Sequence, residues 1–198
     1  MRENNYGMLA MLFRMKHIHR WSLMYSTFEE SLSVHTLECA FITNFLCNIG
    51  NTYYNKKYDT NKLTTYALFH DVTEIITGDM PTPIKYYNSE IKDAYNQIEV
   101  LAAKKLLNLL PKELQTTYSG IVMQNLQEDE KKIIKIADVL CAYIKCKKEI
   151  RLGNADFYLA YNSIKLKLDT YKAPELDHFI EYYLVTFDMS LDELGGGF

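Results

Sequence analysis

Ser33-Val34-His35-Thr36-Leu37-Glu38-Cys39-Ala40-Phe41-Ile42-Thr43-Asn44-Phe45-Leu46-Cys47-Asn48-Ile49-Gly50 is the stretch on which the fold class turns. Its apolar positions Val34, Leu37, Phe41, Ile42, Phe45, Leu46 and Ile49 recur at three- and four-residue intervals, the spacing of one helix face. Ser33 supplies an oxygen to cap the start, and Gly50 predicts the stop. The same period extends outward in both directions. Residues 6–17 carry Met8, Leu9, Leu12 and Phe13 on one stripe, and a helix over 61–77 is predicted to end at Gly78. Further helices are predicted over 88–110, from Pro111 as a first helical residue, over 128–152, over 155–170 and after Pro174. Residues 51–60 are a polar connection, and Asp79-Met80-Pro81-Thr82-Pro83 reads as a rigid loop because two prolines interrupt it.

Composition agrees with this reading. The 198 residues include eight glycines and four prolines, and three of the glycines fall within the last four positions. A sandwich or barrel needs turn residues roughly every 8–12 positions, which this chain does not supply. With 48% hydrophobic and 24% charged residues the chain lies outside the disordered class. The expectation is an all-α helical bundle, one domain over 1–194 with a flexible Gly-rich tail at 195–198. A net charge of −3 argues against coating long nucleic acid. Cys39, Cys47, Cys141 and Cys146 lack CxxC spacing and read as buried thiols of a reducing compartment. No apolar run reaches the ~18 residues of a membrane span, and Arg14, Lys16, His17 and His19 break any signal-peptide core, so the expected address is cytoplasmic.

Three places concentrate metal-ligand residue types in apolar surroundings. They are His35 in the opening turn of its helix, Phe69-His70-Asp71-Val72-Thr73-Glu74 within the next long helix, and Asp138 between Ile136-Ala137 and Val139-Leu140. Imidazoles and carboxylates together suit a borderline divalent ion, and two of each leave positions open for water and substrate. Singly, each has an ordinary reading: a buried histidine, a chance dipeptide, a salt-bridged aspartate. Jointly, a carboxylate among aliphatic side chains is costly unless paired or metal-bound. Glu74 stands four residues beyond His70, beside the metal face, where a residue serving a bound water belongs.

The chain resembles the HD-domain metal-dependent phosphohydrolases, and within them the bacterial 5′-deoxynucleotidases of YfbR type. The resemblance rests on His19-Arg20-Trp21-Ser22-Leu23-Met24, on Phe69-His70-Asp71-Val72-Thr73-Glu74, on Thr77-Gly78-Asp79-Met80-Pro81-Thr82-Pro83-Ile84-Lys85-Tyr86 and on Ala137-Asp138-Val139-Leu140-Cys141-Ala142-Tyr143. It implies a helical, homodimeric enzyme that uses one divalent ion (Co, Mn, Zn or Fe) to hydrolyse deoxyribonucleoside 5′-monophosphates. It also implies His35, His70, Asp71 and Asp138 as ligands, Glu74 at the attacking water, and Asp79 near the phosphate or the leaving 5′-oxygen. Arg20 and Trp21 then line the sugar and phosphate, Lys85 helps balance the phosphate charge, and Asp79, Met80, Pro81 and Thr82 close over the nucleotide. One departure is visible: the family glutamate before the first histidine is Val34 here, which removes a carboxylate able to orient His35.

The remaining features have bland readings. His17 and His19 read as rim or surface residues, His178 as a surface pair with Asp177, and Lys145, Lys147, Lys148 and Arg151 as a solvated helix face. Sixteen tyrosines exceed ordinary needs and point to core and dimer-interface anchors. The rival functions are dNTP or other nucleotide hydrolysis by the same superfamily, and a non-catalytic nucleotide-binding module.

Overall fold

The computed structural model describes residues 6–85 and 87–195, with Thr82 described by its backbone alone. The Gly-rich tail from 196 onward, the first five residues of the expected domain and the expected Thr82 side-chain contact lie outside the described residues. In order, the helices are α1 (Met8–Leu12), α2 (Leu32–Tyr53), α3 (Thr60–Leu68), α4 (Glu74–Thr77), α5 (Thr82–Lys85) and α6 (Ser89–Leu107). They continue with α7 (Lys112–Val122), α8 (Glu128–Arg151), α9 (Tyr158–Thr170), α10 (Pro174–Tyr182) and α11 (Leu191–Gly195). Short 3-10 turns follow α1, precede α9 and follow α10. Among the described residues there is no strand, only one isolated antiparallel bridge between His19 and Ser31. The all-α expectation holds.

The chain groups into two compact units, residues 1–37 with 65–127 and residues 38–64 with 128–198. In the first, α6 packs with α1, α4, α5 and α7 around Met8, Val72, Ala103, Leu106 and Val122. Asn88 caps α6 by accepting from the Ile91 N–H at 2.8 Å. In the second, α8 packs on α9 and buries Ile133, Ile136, Leu140 and the whole of Phe157. Each such side chain contributes about 1.5–3 kcal/mol by leaving water. All four cysteines are free and buried, as their spacing suggests.

Several local expectations change. Residues 69–73 do not continue α3. The His70 ring takes the Ala67 carbonyl at 2.7 Å, and the backbone tightens into three-residue bonds, with Val72 N–H to Phe69 O at 3.2 Å and Glu74 N–H to Asp71 O at 3.0 Å. α2 runs past Gly50 to Tyr53; the glycine is needed because a Cβ there would lie 2.9 Å from the Tyr58 ring. The cap of α2 is Ser31, whose Oγ accepts from Val34 N–H at 3.4 Å, two residues earlier than the apolar pattern suggested. Pro111 stands in extended backbone just before α7, and Thr82 to Lys85 form a single turn in which Pro83 needs no donor. Lys145 is buried, 2.5 Å from the equally buried Glu149, whose other oxygen accepts from Asn154. Lys147 pairs with Asp188 instead of facing solvent alone. His178 is stacked on Tyr53 and tilted on Tyr182, both with centroids 4.7 Å away, and does not stand as a surface pair with Asp177.

Candidate active site

The first unit brings most of the expected residues together, beginning with the loop between the first 3-10 turn and α2. Its two ends are tied by Arg20 N–H to Glu30 O at 2.9 Å and Leu32 N–H to Ile18 O at 2.8 Å. Trp21 holds a left-handed backbone, φ 60°, where a bulky side chain stores about 1–3 kcal/mol of strain. Its carbonyl accepts from Met24 N–H at 2.9 Å, and its own N–H donates to the Asp79 carboxylate. The strained turn therefore joins the Arg20-Trp21 segment to the loop after α4.

His35 is fully buried in the opening turns of α2, and His70 lies at the tightened segment after α3. The Ala67 carbonyl 2.7 Å from His70 Nδ1 assigns the proton to that nitrogen and leaves Nε2 with its lone pair. His35 Nδ1 lies 3.6 Å from the Glu30 carboxylate, beyond hydrogen-bond length but near enough for that charge to favour a proton on the same nitrogen. The two Nε2 atoms then face one another at 3.3 Å. Asp71 Oδ2 completes the group, 3.1 Å from His70 Nε2 and 3.4 Å from His35 Nε2. Three electron-pair donors directed at one point repel unless positive charge lies among them. The donor set fits a divalent transition ion.

Carboxylates surround this group. When protons on Nε2 stand in the ion's place, burial still pushes the Asp71 carboxyl up, but the charge on His70 and the hydrogen bonds from both histidines outweigh it and hold it well below the usual range. Arg20 adds Nη1 at 3.4 Å from Asp71 Oδ2. Glu74 is buried, with no partner for Oε2 among the described residues. Burial first, then the charges of Asp71 and Asp79, push its carboxyl up to about 8 against the opposing pull of Arg20 and Lys85. Asp79 is raised too, chiefly by burial. Lys85 donates to Glu99 at 2.9 Å and lies 4.5 Å above the Tyr95 ring. Met80 and Pro81 are half-buried in the loop that leads to α5.

Asp138 belongs to the second unit. It lies half-buried on α8 among buried Ile136, Ala137, Val139 and Leu140, and accepts from Lys135 Nζ at 2.6 Å. Two residues escape the sequence reading: Glu30, the buried partner of Arg20, and Glu99, the partner of Lys85. Neither carried a signal in the sequence: Glu30 meets Arg20 only through loop closure, and Glu99 meets Lys85 only through the packing of α5 on α6. His19 is exposed, 3.4 Å from Glu29.

Comparison with known proteins is consistent with this geometry. A family profile described as 5′-deoxynucleotidase YfbR-like matches residues 7–187. A 5′-deoxynucleotidase of Vibrio vulnificus is 40% identical over 195 residues, 98% of this chain and all of that protein. Among solved structures, an HD-domain phosphohydrolase of Listeria innocua superposes with a TM-score of 0.77 at 20% identity, covering 94% of this chain and 90% of its own. An HD phosphohydrolase of cyanophage S-2L, bound to dA and one catalytic Zn2+ ion, does so with a TM-score of 0.62 at 17% identity, covering 91% and 96%.

Proposed function

Because the chain belongs to the YfbR-like 5′-deoxynucleotidase family, we propose that it hydrolyses deoxyribonucleoside 5′-monophosphates to deoxynucleoside and orthophosphate with one divalent metal ion. The observation that carries this reading is the convergence of His35 Nε2, His70 Nε2 and Asp71 Oδ2 beside Arg20 and the buried Glu74. His35, His70 and Asp71 hold the ion, with Asp138 as the fourth ligand. The Asp138 assignment is supported by its place in the H…HD…D order and by a carboxylate set among aliphatic neighbours. The zinc of the cyanophage protein supports an ion of the Co, Mn, Zn or Fe class.

When bound, the ion supplies Lewis-acid polarisation of the phosphoryl group and a water of lowered pKa. The chain supplies the rest. Arg20, its plane held by Glu30 and Asp71, offers its guanidinium to phosphate oxygens. Glu74 orients the attacking water and takes its proton; a carboxyl poised near neutrality can both accept and return one. Asp79, raised by burial, donates to the departing 5′-oxygen. Trp21 stands against the 2′ position of the sugar, Met80, Pro81 and Thr82 cover the nucleotide, and Lys85, anchored on Glu99, adds positive charge at the rim.

The active form is a homodimer. Support comes from the second unit, where Phe41, Phe45, Tyr53 and Tyr182 each remain about half exposed or more. Light scattering at micromolar concentration should give twice the chain mass, and a monomer would reject the assignment. The four free buried thiols support a cytoplasmic address. Among the described residues no helix is long and apolar enough to cross a membrane.

The test of the site is substitution with a metal readout. His70→Ala, Asp71→Asn and Asp138→Ala should each strip most of the bound metal and the turnover of dAMP while the helical circular-dichroism spectrum persists. Full activity in any of them removes that residue from the ligand set.

A further inference from the structure

Glu30 is buried, 7% exposed, in a loop whose neighbours Phe28 and Glu29 are exposed. Its carboxylate oxygen Oε1 accepts from Arg20 Nε at 3.0 Å and faces His35 Nδ1 at 3.6 Å. Its backbone carbonyl accepts from Arg20 N–H at 2.9 Å. On the far side, Arg20 Nη1 and His35 Nε2 both approach the same atom, Asp71 Oδ2, each at 3.4 Å. The four side chains form a circuit of three closer contacts, Glu30 to Arg20, Arg20 to Asp71 and Asp71 to His35, and one longer electrostatic approach, His35 to Glu30, beyond hydrogen-bond length at 3.6 Å.

From this circuit we infer that Glu30 is a positioning residue that sets His35 for the metal and Arg20 for the phosphate at once. The inference rests on the hydrolase reading given above and names the device that orients two of its parts. A carboxylate on the outer nitrogen of a metal-binding imidazole fixes the tautomer and strengthens the inner nitrogen as a ligand. The same oxygen, by taking Arg20 Nε, fixes the guanidinium plane before substrate arrives and removes the need to order a flexible side chain on binding. The residue next to His35 cannot do this. Val34 has no carboxylate and is 48% exposed. Glu30 reaches the circuit because the His19 to Ser31 bridge and the Leu32 to Ile18 hydrogen bond hold it immediately before the Ser31 cap of α2. Loop closure and helix capping thereby place the carboxylate behind the histidine.

The test compares wild type with Glu30→Gln and Glu30→Ala in the full chain, using Co2+ and inorganic phosphate as probes. Three quantities are read: Co2+ affinity with its visible absorption spectrum, phosphate affinity of the Co2+-loaded protein, and KM against kcat for dAMP. Loss of an outer carboxylate partner costs roughly 10–100-fold in metal affinity or activity. Glu30→Ala should weaken Co2+ binding within that range, alter its spectrum, and weaken phosphate binding about tenfold, the worth of one charge-assisted hydrogen bond. KM for dAMP should rise together with the fall in kcat. Glu30→Gln, which keeps an accepting oxygen but no charge, should recover part of each loss. A purely structural role would lower the melting temperature and leave the folded variants with wild-type Co2+ and phosphate affinities, and that result overturns the inference. Should wild type bind Co2+ yet release no phosphate from dAMP, the hydrolase reading fails alone. The Glu30 assignment then stands or falls on the two affinities.

Discussion

Replacing Glu74 by glutamine should flatten the pH dependence of stability of the metal-free protein. Burial first, then Asp71 and Asp79, push this carboxyl from its ordinary 4.5 to about 8. Between those values the unfolded chain has lost the proton and the native chain keeps it. Stability is therefore fully present below 4.5 and is lost as pH rises through about 8. The slope approaches about 1.4 kcal/mol for each pH unit. From about pH 5.5 to 7.5 the loss comes to about 3 kcal/mol, or roughly 6–12 °C in melting temperature for a chain of this size. Asp79, also raised, acts in the same direction from its ordinary 3.8 upward. Asp71, held low, acts in the opposite sense, with stability lost only as pH falls below 3.8. Both groups remain in the variant, so the difference between the two proteins reads Glu74 together with its coupling to Asp71 and Asp79. Thermal melts in chelator at three pH values within that window measure it. The wild-type melting temperature should fall more steeply with pH than that of Glu74→Gln. Parallel lines would refute the assignment of a buried, proton-retaining Glu74.

Gly50→Ala should destabilise by about 1–3 kcal/mol in urea, because the new methyl lies 2.9 Å from the Tyr58 ring; unchanged stability would mean that the ring yields freely. Glu149→Gln leaves the buried Lys145 ammonium without its counter-charge and should cost on the order of 3–5 kcal/mol, with the metal content of the folded fraction unaltered. Trp21→Ala should narrow the ratio of dAMP to AMP hydrolysis, by up to roughly 10²-fold, without lowering metal content; equal ratios in variant and wild type would remove Trp21 from the sugar pocket.

The helices were legible because their apolar period is long and uninterrupted, as in α2 and α8. Their local departures were not, since each is decided by a tertiary partner. Gly50 looks like a stop signal, yet α2 continues because the glycine serves the packing of Tyr58. Residues 69–73 look helical, yet the His70 ring competes for the Ala67 carbonyl and the backbone tightens there. Lys145 looks like one member of a charged face until Glu149, one turn later, is seen buried beside it. In the site, the imidazole and carboxylate types were legible because that chemistry is rare in apolar surroundings. Glu30 was not, because its meaning comes from loop closure, which brings a residue ten positions after Arg20 back onto it. Trp21 entered beside Arg20 only through the family resemblance, and its left-handed backbone was not legible, since Trp has no intrinsic leaning toward positive φ.

The most direct test of the account is the product released from dAMP, AMP and dATP by purified wild-type protein loaded in turn with Co2+, Mn2+, Zn2+ and Fe2+. Orthophosphate should appear from dAMP with at least one of these ions and far more slowly from AMP, and chelation should abolish it. Release of triphosphate or pyrophosphate from dATP with dAMP left intact, or no phosphate from dAMP with any ion, would contradict the account.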